Sequence, residues 1–161
     1  MMGRPAGPAR RTDPPPPEDT VTRKILATLL GLAVGLVLVL AIEMGSHHVY
    51  PPPEGMDFTD KAAVDAFVAQ LPVAALALIV VAWVAGAFGG SFVAARVGRS
   101  RWPGWTVGIL LVLATAWNLA TYSHPAWMAI AGPALVVAGA VAGAALGAKK
   151  GTVPLFRKVW P

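Results

Sequence analysis

Apolar and polar positions alternate along this chain in blocks, not at the periods of a surface helix or strand. The longest apolar block is 71–95, 25 residues without a charge, in which Ser91 and Trp83 alone carry a polar group. That exceeds the ~18 residues that mark a transmembrane helix. Small residues recur every fourth position along it, at Ala82, Gly86, Gly90 and Ala94. Lipid tails are as apolar as leucine, so helices associate in a bilayer where small residues let two backbones approach. This helix is therefore expected to be the one the others pack on.

Three further blocks follow the same logic. Residues 25–42 form an apolar run of 18 after Arg23 and Lys24, with Gly31 and Gly35 as a small-residue face. A signal peptide competes for this segment, but the run is longer than the usual ~7–15 residues and no small-x-small cleavage site follows it. The block closes over 43–50, and Pro51, Pro52 and Pro53 forbid its continuation. Residues 105–120, lengthened by Thr121 and Tyr122, form a third block, with Gly98 and Pro103 as breakers before it. Pro125 stands where a fourth helix can begin, and 126–148 supplies 23 residues carrying Gly139, Gly143 and Gly147 at four-residue spacing. Between the first two blocks, Thr59 or Asp57 can cap a helix starting near Asp60. Ala63, Val64, Phe67 and Val68 give that start an amphipathic, interfacial character, and Pro72 kinks or restarts the chain.

The expected fold is thus all-α: a four-transmembrane-helix bundle over 23–150. The proline-rich segment 1–22, with four consecutive prolines at 14–17, has little to bury and is expected to be a disordered cytoplasmic tail. Residues 151–161 are expected to form a second cytoplasmic tail. Composition agrees with a membrane protein, with 56% hydrophobic residues and a mean hydropathy of +0.62. The net charge of +5 does not point to nucleic acid, because the basic residues flank apolar segments in small groups. Cysteine is absent, which excludes disulfides and thiol chemistry.

Charge also orients the bundle. Twelve of the thirteen lysines and arginines fall in the N-terminal flank, the 96–105 connection or the C-terminal tail, and Lys61 is the exception. Basic residues favour the cytoplasmic side, so both termini are expected to be cytoplasmic in a plasma membrane. Trp102 and Trp105 then mark the inner interface, and Tyr50, Tyr122 and Trp127 the outer one.

This topology gathers Glu43, His47, His48 and His124 at the outer face. Glu43 and His47, four residues apart, share one face of a helix. With His124 they form a candidate metal or proton site, since carboxylate and imidazole suit Zn²⁺, proton relay or pH sensing. Two histidines from different helices could also hold a haem. The plainer reading is that these are polar groups in the wet headgroup region. No catalytic set, phosphate loop or metalloprotease motif accompanies them.

The runs Glu43-Met44-Gly45-Ser46-His47, Tyr50-Pro51-Pro52-Pro53-Glu54-Gly55 and His124-Pro125-Ala126-Trp127, with Gly89-Gly90 leading to Arg96, carry a resemblance. They resemble a family of small, uncharacterised bacterial four-helix integral membrane proteins. The resemblance implies a membrane location and four spans, and no activity. The leading functional expectation is a non-enzymatic accessory or interaction protein. Its partners would be the lipid bilayer and, through the small-residue faces, a second copy or another membrane protein. No cofactor is implied. A small transporter or channel is the second reading. Small multidrug-type transporters also have four helices and a glutamate in the first, but that acid lies deep in the membrane, whereas Glu43 ends its span. A membrane enzyme or metal protein using the Glu43, His47 and His124 cluster is the third.

Overall fold

A computed structural model describes residues 17–149. They form five helices and no strand: α1 (Pro17–Val49), α2 (Lys61–Gln70), α3 (Val73–Gly98), α4 (Arg101–Thr121) and α5 (Ala126–Gly147). All but α2 are long and apolar enough to cross a bilayer, and the fold is compatible with a multi-pass membrane protein. At 1.5 Å per residue, α1 is about 50 Å long, well beyond a hydrocarbon core of ~30 Å. It begins six residues earlier than the sequence suggests, because a proline such as Pro17 is tolerated at the first position of a helix. The rest of the expected N-terminal tail and all of 151–161 lie outside the described residues.

The helix ends follow local chemistry. The Asp60 carboxylate, rather than Asp57 or Thr59, caps α2 by accepting from the Ala62 N–H at 2.9 Å. Asp57 closes the preceding turn instead, accepting from the Thr59 N–H at 2.8 Å. Pro72 restarts the chain as the N-cap of α3. At the other end of α3, Arg99 adopts a left-handed conformation at φ 51°. The Ser100 N–H then donates back to the Ala95 carbonyl at 3.2 Å, and the Ser100 side chain caps α4. Pro103 therefore lies in the first turn of α4 and does not break it, since that turn has no N–H partner to lose.

The expectation for α3 holds: it packs against α1, α4 and α5. Its two edges meet different neighbours, with the small residues on α3 itself toward α1 and on α5 on the other side. On one edge Gly86, Gly90 and Ala94 face Gly31 and Gly35 of α1. A methyl group at Gly90 would lie 2.7 Å from the Gly31 carbonyl oxygen, and one at Gly31 2.6 Å from the Gly90 carbonyl oxygen. The helices touch backbone to backbone there. On the other edge Gly139 of α5 approaches the Val84 carbonyl, and Gly143 approaches that of Phe88. Ala82, the remaining member of the stripe, is fully buried. A further pair, Gly104 and Gly108 of α4, does the same work against Ser91, Ala140 and Ala144.

Two apolar clusters result. One centres on Ala87, Ala94, Val107, Leu111, Val136 and Ala140. The other holds Val68, Leu76, Val80 and Met128. Trp83 and Val84 pack against both. Large side chains such as Leu30, Leu36, Trp117 and Ile130 point away from the bundle, as they must where the solvent is lipid.

Candidate functional site

The two ends of the bundle differ in charge. Arg96, Arg99 and Arg101 cluster where α3 turns into α4, and the Arg96 guanidinium donates to the Lys149 carbonyl at 2.8 Å, tying α3 to the end of α5. At the opposite end lie the C-terminus of α1, the 50–60 loop, α2 and the α4–α5 turn. This acidic end holds Glu43, Glu54, Asp57, Asp60 and Asp65 against a single lysine, Lys61, and the three histidines.

Here the helices enclose a cavity of about 290 Å³. Its walls come from five segments. The last turns of α1 supply Glu43, Ser46 and His47, and Tyr50 follows directly after its end. The loop contributes Phe58, and α2 turns Phe67 and Val68 inward, as expected of its apolar face. Trp83 of α3, Asn118 of α4 and Tyr122 and His124 of the α4–α5 turn complete the lining. Both tyrosines of the chain and two of its three histidines are in this lining.

The sequence-derived trio is thus brought to one cavity. Glu43, His47 and His124 all line it, although α1 and the α4–α5 turn are far apart in the chain. They are not joined: among the described residues no hydrogen bond or ion pair links Glu43 to either imidazole, and no three His, Asp or Glu side chains are grouped as ligands of one ion. Aromatic rings and backbone engage the imidazoles instead. His47 stacks on Phe58 with ring centroids 6.3 Å apart. His124 meets Trp83 edge to face at 6.1 Å. Its Nδ1–H donates to the Tyr122 carbonyl at 2.9 Å. A carbonyl can only accept, so in the neutral ring Nε2 is left as an acceptor. His48, on another face of α1, is not part of the lining; its Nδ1–H donates to the Met44 carbonyl at 2.9 Å.

A latch holds the cavity wall in place. Asp65 of α2 pairs with Lys61 and accepts from the Ser123 N–H at 2.8 Å, bridging α2 to the α4–α5 turn. The Lys61 ammonium, then the Ser123 N–H, hold its carboxyl below the usual carboxylate range.

Sequence reasoning did not reach the aromatic wall or Asn118. Phe58, Phe67, Trp83 and Asn118 come from separate segments, and no spacing within one segment marks them as a set. The predicted packing glycines Gly31, Gly35, Gly86, Gly90, Gly139 and Gly143 all lie at helix contacts and none lines the cavity. No protein-family model, curated protein or solved structure matches the chain.

Proposed function

We propose that this chain is an integral membrane protein of the plasma membrane with a non-enzymatic binding role, its cavity facing the non-cytoplasmic side. The observation that carries the reading is the cavity itself. It has an apolar and aromatic wall and a few convergent polar groups, the usual make-up of a ligand site. The Glu43 carboxylate and the Asn118 amide have no hydrogen-bond partner in the protein among the described residues. Polar groups left without a protein partner in such a wall are completed by water or by a ligand. They are not wired into the relay of base and nucleophile that a covalent enzyme needs. The closely packed α1–α3 and α3–α5 contacts on the basic side of Trp83 favour binding over conduction, since a methyl group added at Gly31, Gly90 or Gly143 would already collide with the neighbouring backbone.

The orientation rests on the basic flanks, and the resemblance to bacterial four-helix proteins supports the same membrane. Because the chain has no cysteine, an introduced one is its sole thiol. Cysteines replacing Glu54 or Ser123 should react in intact cells with a membrane-impermeant thiol reagent, and one replacing Ser100 should react only after lysis. The opposite pattern would reverse the orientation and turn the cavity toward the cytoplasm.

A further inference from the structure

The ligand-binding reading leaves the class of ligand open, and the chemistry of the lining narrows it. Three features of the acidic end coincide. Glu43, a half-buried carboxylate in the cavity wall, has no lysine, arginine or histidine nitrogen within 4.0 Å among the described residues, and only the His47 imidazole one turn along α1 acts on it as a nearby charge. The one lysine or arginine at this end, Lys61, is engaged by Asp65. Burying a carboxylate in an aromatic wall without a counter-charge is costly, and a ligand can supply that charge.

The second feature is hydrogen-bond polarity. An ionised carboxylate only accepts, and an imidazole whose Nδ1–H is committed to a carbonyl, as that of His124 is to Tyr122, has Nε2 as its acceptor in the neutral form. A ligand that brings N–H donors satisfies both. The third is the wall: Tyr50, Phe58, Phe67, Trp83 and Tyr122 all line the space. Aromatic faces attract a cation through the ring quadrupole and accept an apolar body by burial. The field of the whole end acts the same way, with five carboxylates against one ammonium.

We infer that the cavity binds a small protonated amine carrying an apolar body, with its ammonium on Glu43 and its body against Trp83 and the neighbouring rings. An anion is disfavoured by a carboxylate that no ion pair neutralises among the described residues. A volume of about 290 Å³ admits a ligand of one ring and a short chain, at the low end of small-molecule sites. This inference rests on the cavity being a binding site, and the test separates the two claims.

The experiment is calorimetry on the full chain in lipid nanodiscs, near pH 8, above the ordinary imidazole range of ~6.5. Three probes share one body: 2-phenylethylammonium, 2-phenylethanol and 3-phenylpropionate. The expected result is saturable binding of the amine, at least tenfold weaker binding of the alcohol and weaker still of the carboxylate. Glu43→Gln should cut amine affinity about tenfold and leave alcohol affinity unchanged. The ranking in the unmodified protein decides the matter even if that variant does not fold. Equal affinity for amine and alcohol overturns the ammonium inference and keeps the binding site. Absence of binding by all three overturns both.

Discussion

The same two helices, α1 and α3, behave differently at their two ends. Toward the basic end they touch through Gly31, Gly35, Gly86, Gly90 and Ala94, with the Gly31 and Gly90 backbones in direct approach. Toward the acidic end α1 and the residue directly after it present Glu43, His47 and Tyr50, α3 presents Trp83, and a cavity separates them. At Trp83 the core changes from alanine-rich on the basic side to one built of Val68, Leu76, Val80 and Met128 on the acidic side. The lesson is that residue size along one helix pair decides where a membrane bundle is sealed and where it is open. In lipid there is no water to expel between apolar surfaces, so close backbone approach is what holds the sealed half. The open half needs its own fastening, which α2 and the Asp65 latch provide.

The contrast breaks most readily at Gly90. Even one methyl there meets the Gly31 carbonyl oxygen, which is backbone and cannot rotate away. Gly90→Leu should cost about 3 kcal/mol, the upper part of the overpacking range, read as loss of the folded fraction in detergent titration. Gly45 supplies the internal control, since it lies on the same helix α1 as Gly31 but a methyl there would meet nothing within 4 Å. Gly45→Ala should be neutral or stabilise by about 0.5–1 kcal/mol through helix propensity alone. Similar losses for both variants would mean that the small residues are compositional.

A smaller effect is expected at the latch. Asp65→Asn should speed hydrogen exchange at the Ser123 amide and across α2 without changing protection in α3. The pH dependence follows from the sign of the shift. A carboxyl whose folded-state pKa is depressed contributes stability above its unfolded value and loses it as pH falls through the folded value. The latch should therefore persist at neutral pH, weaken from the ordinary carboxylate range downward and be lost below the lowered pKa of Asp65. Exchange at Ser123 that accelerates already between neutral and mildly acidic pH would assign the fastening to another group.

Much of the sealed half was legible in the sequence, because its signal is local: small residues at i and i+4 on one helix. The pair Gly104 and Gly108 obeys the same rule yet sits near Pro103, where reading a helix breaker hid the start of α4. Pro133 left no such mark, and α5 runs through it, as transmembrane helices allow. The open half was legible only in its polar members. Glu43, His47 and His124 could be gathered by counting spans, since ionisable residues at span ends are few. Their aromatic partners could not, because Trp83 in an apolar run reads as any core tryptophan until its neighbours are known. Shared placement also did not give a metal site: His47 and His124 are turned to Phe58 and Trp83.

The central claim is that the bundle is open at its acidic end and sealed at α3 beyond Trp83. Two single-cysteine variants test it directly, Asn118→Cys in the cavity lining and Ser91→Cys, whose native side chain is fully buried beside Gly108. The measurement is the rate of reaction of each with a small water-soluble thiol reagent, in the full chain in nanodiscs. Asn118→Cys should react at least tenfold faster than Ser91→Cys. Equal, slow rates would show that water does not reach the space around Glu43, and equal, fast rates would show that the other half is not sealed.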